Sequence, residues 1–163
     1  MMIRAATQRD DDAIWTVLEP ILRAGETYAL PRDWSREAML AYWRSADHEV
    51  FVAEDGGAIV GTYFLCANHL GGGAHVANAG YATAVAAQGK GIARAMCEHS
   101  IAHARERGFR AMQFNFVIAS NTRAVALWQR MGFSIVGTLP GAFAHPTLGY
   151  VDAFVMYRDT KAV

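Results

Sequence analysis

The stretch Gln88-Gly89-Lys90-Gly91-Ile92-Ala93 lies between a predicted strand and a long predicted helix, and the rest of the chain is organised around it. Glycines at positions 89 and 91 allow successive backbone N–H groups to turn toward a common point. The helix that begins here adds the positive end of its dipole. We therefore expect a phosphate or pyrophosphate site, with Lys90 as a mobile positive charge at its rim. The alternative is an ordinary glycine turn before a helix, because a short Gly-x-Gly sequence is weak evidence on its own.

Two other phosphate-binding folds do not fit the residues around this loop. No Ser or Thr follows Lys90, which excludes a P-loop. The pattern Gly-x-Gly-x-x-Gly is absent, and the preceding strand ends a meander instead of opening a βαβ unit. Both facts argue against a dinucleotide-binding fold.

Upstream of the loop, the chain predicts an antiparallel meander. Residues 49–54, 58–66 and about 75–84 have the composition and alternation of strands. Asp55-Gly56 predicts the hairpin turn between the first two strands, since both residues tolerate positive φ. A glycine-rich loop at residues 68–73 separates the second strand from the third.

Two helices are predicted before the meander, after a short apolar start at residues 3–6. Apolar residues recur at helical spacing over residues 13–22, behind an acidic first turn. Pro20 is expected to kink or divide this helix. Residues 33–35 offer caps for a second helix that extends to Trp43.

Downstream of the loop, helices and strands alternate. The predicted elements are a helix, a strand, a helix and two strands, over residues 91–107, 110–117, 121–132, 133–138 and 149–157. In the first of these strands, Met112, Phe114 and Phe116 are expected to share one face. The complete order is β-α-α-β-β-β-α-β-α-β-β. It indicates an α/β fold, a single domain over residues 1–163 with a mixed, mostly antiparallel sheet flanked by helices.

The composition is that of a globular protein, with 53% hydrophobic and 18% charged residues. Equal numbers of basic and acidic residues give a formal net charge of +0, which is unlike the basic surface of a nucleic-acid binder. No apolar run approaches the roughly 20 residues that cross a bilayer, and the first nine residues lack the apolar region of a signal peptide. Cys66 and Cys97 lie in apolar-rich segments and are expected to be reduced core residues. These features predict a cytoplasmic protein that contacts neither nucleic acid nor membrane.

Two motifs resemble the GCN5-related N-acetyltransferase (GNAT) family. Gln88-x-x-Gly91-x-Ala93 matches the family signature Arg/Gln-x-x-Gly-x-Gly/Ala. A second block, Asn121-x-x-Ala124-Val125-x-Leu127-Trp128-x-x-x-Gly132-Phe133, is similar to the family segment Asn-x-x-Ala-Ile-x-Leu-Tyr-x-x-x-Gly-Phe. The two motifs occur in the family order, and the resemblance spans about residues 2–158.

The resemblance implies acetyl-CoA as co-substrate and assigns residues to it. Backbone N–H groups of the phosphate loop would hold its pyrophosphate, and the loop residues are Gln88, Gly89, Lys90, Gly91, Ile92 and Ala93. The pantetheine arm would follow the backbone of Thr83 and Val85. Asn121 would hydrogen-bond the pantetheine, with Ala124 packed beside it. Val85 replaces the usual family proline at little cost, because the contact is made by backbone.

Trp128 stands where the family often has a tyrosine that protonates the leaving thiolate. An indole N–H can donate a hydrogen bond but cannot give up its proton at neutral pH. Three alternatives stay open. The thiolate leaves without an acid, since the reference pKa of a thiol is only about 8.5; water supplies the proton; or another group, such as Tyr81, reaches the sulfur.

A general base is not evident either, because the predicted strand at residues 77–81 carries no carboxylate. Asn78, Asn115 and Asn121 are expected near the cleft instead. Their amides can orient an amine or stabilise an oxyanion. The structural alternative is that these asparagines satisfy strand ends and a helix cap.

A narrower resemblance concerns the segment Met112–Val117, followed by Asn121 and Leu127-Trp128. It is similar to the yeast-type acetyltransferases that act on azetidine-2-carboxylate and proline-like imino acids. That resemblance implies that Asn78 and Asn115 position the substrate. Together with Trp128, these two asparagines are the candidate catalytic residues.

Candidate substrate-binding residues are Glu26 and Tyr28, in the connection where the family binds substrate, and Tyr81. The alternative for the first two is a plain surface loop. Members of the family often form homodimers, which the sequence neither predicts nor excludes.

Four histidines are candidates for metal ligands or for a general base. His99 and His103 share a helix face, but they lack the Glu of His-Glu-x-x-His and a third ligand, so a solvated helix face and no metal are predicted. His69 and His75 flank the glycine-rich loop. They are expected to be ordinary polar residues, although a histidine can deprotonate an amine.

The function that this pattern favours is acetyl-CoA-dependent N-acetylation of a small-molecule amine, an amino or imino acid being one option. Transfer would be direct, within a ternary complex. One alternative is a non-catalytic module that binds or senses acyl-CoA, for which the missing tyrosine and base argue. Another is a protein-binding module with a degenerate coenzyme site.

Overall fold

One seven-stranded sheet organises the chain, and the computed structural model describes residues 1–161 of it. The helices and strands are β1 Met2–Ala5, α1 Asp11–Ala24, α2 Arg36–Trp43, β2 Glu49–Asp55, β3 Ala58–Ala67, β4 Val76–Thr83, α3 Ile92–Glu106, β5 Ala111–Ile118, α4 Thr122–Arg130, β6 Ser134–His145 and β7 Gly149–Asp159. Short 3-10 turns occur at Gln8–Asp10, Gly71–Gly73 and Val85–Ala87. The order of elements is the one that periodicity and turn residues predicted.

The strands lie in the order β1-β2-β3-β4-β5-β7-β6. Every pairing is antiparallel except β4 with β5, which is parallel. The parallel pair requires a long crossover, and α3 supplies it. The predicted class, an α/β fold with a mostly antiparallel sheet flanked by helices, is confirmed.

Helices cover both faces of the sheet. On one face, α3 and α4 bury Met96 and Trp128 in a cluster with Tyr63 of β3. On the other face, α1 and α2 bury residues such as Ile14 and Trp43 against Phe64. Tyr63 and Phe64 are neighbours in one strand, so they point to opposite faces. Within residues 1–161, no helix combines the length and apolarity that crossing a bilayer would require.

The structure differs from two local expectations upstream of the phosphate loop. Of the kink or division expected at Pro20, the division is wrong, because helix α1 continues to Ala24. Buried Leu18 and Leu22 on either side of the exposed proline anchor both halves to the same core, and this packing offsets the missing N–H. The first hairpin turns at Gly56-Gly57, with φ of 58° and 82°, one residue later than predicted. Two glycines in succession give both central positions the left-handed conformation of a tight hairpin.

Two expectations about the C-terminal strands were also wrong. Phe116 does not share a face with Phe114, because a bulge in the pairing with β7 places Val117 in the core instead. Strand β6 extends to His145 and not to Thr138, so it includes part of what was expected to be loop. Long-range pairing with β7, itself interrupted by bulges, decides both points.

Candidate functional site

Strands β4 and β5 separate soon after they meet. Their register covers only two pairs, Val76 with Ala111 and Ala77 with Met112. Next along the chain, Asn78 Nδ2 donates to the carbonyl oxygen of Gln113 at 2.9 Å. Beyond this bond the two strands line opposite sides of a cleft. The separation leaves one edge of β4 without a strand partner in the middle of the sheet.

The direction of each β4 peptide group follows from the strand's alternation. The carbonyl of Val76 accepts from Asn68 on the β3 side, and the N–H of Ala84 donates to Val60 on the same side. Peptide groups of the even-numbered residues therefore face β3. Those of Tyr81 and Thr83 face the open side. Apart from the Tyr81 carbonyl, which accepts from the Tyr28 hydroxyl, these peptide groups are available to a bound extended chain.

The cleft continues to the phosphate loop and the start of α3. Gly89 and Gly91 have φ of 76° and 80°, and Gly91 is the N-cap of the helix. A side chain at either position would be strained, since L-residues rarely adopt this conformation. The first N–H groups of α3 have no carbonyl partner within the helix, and they carry the positive end of its dipole. This loop therefore presents several donors to an anion at the end of the cleft.

Two arginines add charge at this end, and the sequence analysis did not select them. A Cβ added at Gly89 would lie 3.7 Å from a guanidinium nitrogen of Arg123, which stands in the first turn of α4. Arg94, in the first turn of α3, also lines the cleft and pairs with Glu98 at 2.9 Å. Their placement in the second or third position of a helix was visible in the sequence. The approach of α4 to the loop was not.

The cleft has a volume of about 1090 Å³ and runs between β4, β5, α3, α4 and the α1–α2 connection. Nearly all the residues chosen from the sequence line it: Glu26, Tyr28, Asn78, Tyr81, Thr83, Val85, Gln88, Gly89, Gly91, Ile92, Ala93, Asn115, Asn121, Ala124 and Trp128. Lys90 is the exception, because it is exposed outside the lining. Within residues 1–161, the lining includes one carboxylate, that of Glu26, and no histidine.

Asn121 has a structural contact as well as a place in the cleft. Its side-chain oxygen accepts from the N–H of Ala124 at 3.4 Å, so it caps helix α4. The cap fixes the amide at the point where β5 passes into α4. The coenzyme contact that was expected of Asn121 stays a prediction.

Trp128 is 8% exposed and packs between two aromatic residues. Its ring centroid lies 5.1 Å from that of Tyr81 and 5.1 Å from that of Phe114. The Tyr81 hydroxyl lies 2.6 Å from Ser100 Oγ, and burial raises its pKa well above the ordinary value of a phenol. Of the three proton sources considered for the thiolate, Tyr81 is therefore the one that the geometry does not favour.

The asparagines belong to an amide network across the separated strands. Asn115 Oδ1 accepts from Gln113 Nε2 at 2.9 Å, and its Nδ2 donates to Asn68 Oδ1 at 2.6 Å. Both polar atoms of Asn115 are thus engaged. Asn78 differs, since a carbonyl oxygen can only accept and Gln113 O therefore fixes Nδ2 as its donor. The Oδ1 of Asn78 keeps its capacity to accept.

Tyr28 connects the α1–α2 connection to β4. Its hydroxyl donates to the backbone carbonyl of Tyr81, which faces the open side of the strand. Burial raises the pKa of Tyr28 well above its ordinary value, so this phenol is a fixed donor and not an acid. Glu26 lies nearby in the same connection and is exposed. Both residues therefore border the cleft at the end away from the phosphate loop.

His99 and His103 do not lie on a solvated helix face, which corrects the expectation for them. His99 Nδ1 is 2.6 Å from the Tyr63 hydroxyl, and His103 Nε2 is 2.8 Å from Glu49 Oε2. Burial and the neighbouring His103 lower the pKa of His99. The helix is amphipathic, but tertiary packing uses these two imidazoles to pair with the sheet. His69 and His75, by contrast, are exposed and lie outside the cleft.

Known proteins are similar to this chain in sequence and in architecture. The chain is 30% identical over 101 residues to the N-acetyltransferase aca1 of Schizosaccharomyces pombe, a match that covers 60% of this chain and 47% of that relative. The chain therefore spans less than half the length of this curated relative. The structure of a GCN5-related N-acetyltransferase from Kribbella flavida has a TM-score of 0.92 and 42% identity, and the match covers 97% of this chain and 96% of that one.

A more distant structure shows the same fold with coenzyme bound. It is a GNAT superfamily phosphinothricin acetyltransferase from Sinorhizobium meliloti in complex with acetyl-CoA, with a TM-score of 0.84 and 20% identity over 97% of this chain and 87% of that one. The model of the acetyltransferase (GNAT) family matches residues 15–133. That segment holds the phosphate loop, both strands of the cleft and the Asn121 block. The chain belongs to the GNAT family of acetyltransferases.

Proposed function

We propose that this chain transfers the acetyl group of acetyl-CoA to the amine nitrogen of a small molecule. The observation that carries the proposal is the cleft itself: unpaired β4 backbone on one side, leading to the donor-rich loop at the start of α3. An extended pantetheine arm fits the first feature and a pyrophosphate the second.

Residue roles follow from position. Donors of the loop, residues 88–93, would hold the pyrophosphate, with Arg123 beside them. Thr83 would contact the pantetheine through its open-side peptide groups, and Val85 would continue that contact. Asn121 and Ala124 would bound the arm from α4.

The reaction places the acceptor amine at the opposite end, near Asn78 and Tyr28. The amine nitrogen attacks the thioester carbon, the C–S bond breaks, and coenzyme A leaves as a thiolate. The proton of the attacking amine passes to water or to that thiolate. Asn78 Oδ1 accepts an N–H of the amine and so orients its lone pair. Peptide N–H groups on the open side of β4 face the thioester and stabilise its developing oxyanion.

In this scheme Trp128 does not act as the acid that the family tyrosine provides. Its buried indole packs against the Tyr81 ring, forms part of the cleft lining there, and excludes water from the thioester. The thiolate leaves unprotonated and then takes a proton from water or the proton that the amine gives up. No step requires an acidic side chain at the sulfur.

The proposal is tested by two measurements on the intact chain. Isothermal titration should show one acetyl-CoA site, and an amine panel should show release of free thiol with at least one acceptor. Absence of acetyl-CoA binding would remove the whole proposal. Binding without turnover on any amine would favour a module that senses acyl-CoA, for which the scarcity of acid and base groups in the cleft argues.

The class of acceptor is a separate question within the panel. The imino-acid branch stays a prediction, supported by the asparagines at positions 78 and 115. Among the described residues, the arginines that line the cleft lie on α3 and α4, whereas the amides of Asn78 and Asn115 lie on the two separated strands. Azetidine-2-carboxylate and proline analogues should therefore be compared with the same rings lacking the carboxylate. A clear preference for the acids supports the branch, and equal rates remove it.

A further inference from the structure

Asp47, His48 and Cys66 come together beside the acceptor end of the cleft, although no motif links them in the sequence. Asp47 and His48 lie between α2 and β2, while Cys66 is near the end of β3. One ligand atom from each lies within 4.8 Å of the other two. A carboxylate oxygen, an imidazole nitrogen and a thiol sulfur are the donor types that zinc takes from proteins.

A hydrogen bond and a stacked aromatic ring fix the orientation of the His48 imidazole. Its Nδ1 lies 3.0 Å from the carbonyl oxygen of Trp43. Since a carbonyl only accepts, Nδ1 is the donor of this bond, which leaves Nε2 as the nitrogen that a metal would use. The ring is also stacked on Phe64, with centroids 3.9 Å apart and planes 6° from parallel. Metal-binding histidines commonly have such a second hydrogen bond, which fixes both tautomer and direction.

The other two groups are free to take part. Asp47 accepts a hydrogen bond from Ser45 Oγ at 2.5 Å, and within residues 1–161 no Lys or Arg nitrogen lies within ion-pair distance of its carboxylate. Cys66 is a free thiol and is only half-buried. A carboxylate without a Lys or Arg partner, next to a thiol and an oriented imidazole, is an arrangement that a cation would stabilise.

We propose that Asp47, His48 and Cys66 bind a thiophilic divalent cation, with zinc as the ion that fits them best. Zinc bonds of about 2.0–2.3 Å to these atoms place the ligands about 3.5 Å from one another in tetrahedral geometry. The three ligand atoms already lie within 4.8 Å of one another, so only a small closure around the ion is needed. The connection that carries Asp47 and His48 lies outside the regular elements, and Asp47 is exposed, so this closure disturbs no strand. A fourth position stays open to water or to a ligand.

The position of this cluster gives it a consequence for the acceptor. Cys66 is the antiparallel partner of Asn78, so their side chains lie on the same face and next to each other. Phe64, under the His48 ring, lines the cleft. A bound cation would stand beside the amide that orients the amine and would alter acceptor binding. This consequence rests on the proposed acetyl transfer, whereas cation binding does not.

Cobalt(II) is the probe for the site, because a cobalt–thiolate bond absorbs in the near ultraviolet and tetrahedral cobalt has intense visible bands. Tag-free, chelator-treated chain should bind one equivalent of cobalt with both signals, and zinc should displace it. The charge-transfer band should disappear in Cys66→Ser. Affinity should fall at least tenfold in His48→Gln and in Asp47→Asn, the second being a surface change that leaves the core intact.

The other cysteine provides the matched control. Cys97→Ala changes a buried thiol on the opposite face of the sheet and should keep the cobalt band. Retention of the band in Cys66→Ser, or the absence of any one-site binding to the folded wild type, would overturn the proposal. Circular dichroism of each variant separates a lost ligand from a lost fold.

The effect of zinc on acetyl transfer provides an independent test of the site. With an acceptor in hand, zinc should change the KM for the amine in the wild type and leave Cys66→Ser unaffected. A cobalt signal in a chain that acetylates nothing would keep the cation site and remove the proposed transfer. Turnover without any cobalt signal would keep the proposed transfer and remove the cation site.

Discussion

The Tyr81 hydroxyl lies 2.6 Å from the Ser100 hydroxyl on α3, so the phenol nearest Trp128 is hydrogen-bonded into the core and not along the cleft. Ser100 in turn donates to the carbonyl of Cys97 at 2.8 Å. Tyr81 also contacts the sulfur of Met112. The tyrosine beside Trp128 therefore has its hydroxyl engaged in a structural hydrogen bond.

Removing that hydroxyl should have little effect on acetyl transfer. In Tyr81→Phe, Ser100 keeps its bond to Cys97, so we expect kcat to change less than about threefold and stability to fall by about 1 kcal/mol. Steady-state kinetics and urea unfolding check both numbers. A hundredfold loss of kcat in a folded variant would restore Tyr81 as an acid.

The pH dependence of kcat/KM should follow the pKa of the acceptor amine and not the pKa of a protein side chain. The cleft lining within residues 1–161 has no histidine and only the exposed Glu26 as a carboxylate, so the amine must arrive neutral. We expect kcat/KM to rise with pH up to the pKa of the acceptor. Two acceptors whose pKa values differ by about two units should give profiles displaced by the same amount. A common inflection near neutrality for both would reveal a protein base.

Charge at the phosphate loop should decide coenzyme affinity. Gly91→Glu and Gly91→Gln impose the same strain at φ of 80°, and they differ only in charge. Repulsion of the pyrophosphate should weaken acetyl-CoA binding by roughly ten- to a hundredfold more in the Glu variant. Titration calorimetry measures the difference.

A control for that pair exists in the turn between β2 and β3, outside the cleft lining. Gly56 also has positive φ, and a Cβ there would meet nothing within 4 Å. Gly56→Glu should lose similar stability and keep coenzyme affinity. Equal affinities in the two Gly91 variants would mean that the anion does not sit on this loop.

The two cleft asparagines should differ in their effect on the acceptor. Asn78 has an oxygen free to accept from the amine, whereas both ends of Asn115 are already engaged. Asn78→Ala should therefore lower kcat/KM by roughly tenfold or more, and Asn115→Ala by less than about threefold. The KM for acetyl-CoA should stay unchanged in both. The reverse order would assign the amine contact to Asn115.

Stability at low pH should depend on Asp10. The guanidinium of Arg4 donates two hydrogen bonds of 2.9 Å to this carboxylate, which holds its pKa well below the usual range even though burial opposes the shift. A pKa lowered by folding means that the stabilisation is complete above about pH 4, the ordinary range, and is lost as pH falls further. Asp10→Asn should cost about 2 kcal/mol at pH 6.

Unfolding free energies measured between pH 6 and pH 2.5 give the test, and the gap between wild type and Asp10→Asn should narrow below pH 4. Asp33→Asn, which changes an exposed carboxylate in the α1–α2 connection, is the control and should show no such convergence. A gap that stays constant over the whole range would show that the Arg4 pair does not depend on ionised Asp10.

Local signals were sufficient for most elements. Caps and glycines marked where helices begin and end: Ser35 accepts from Ala38 at 3.1 Å, Asn121 caps α4, and Gly25 ends α1 in the left-handed conformation. These are interactions between residues a few positions apart, so the sequence contains both partners of each. The division of α1 expected at Pro20 does not occur, because the packing that keeps this helix continuous comes from other elements.

The sequence by itself therefore determined the order of elements, the glycine-bearing loop at residues 88–93 before α3, and the family. Each depends on periodicity or on residues close along the chain. The tertiary structure alone decided the separation of β4 from β5, the approach of Arg123 to Gly89, and the meeting of His48 with Cys66. These features join segments that are distant in sequence, and they arise from the pairing and packing of whole strands and helices. No local pattern records which distant side chain will lie opposite.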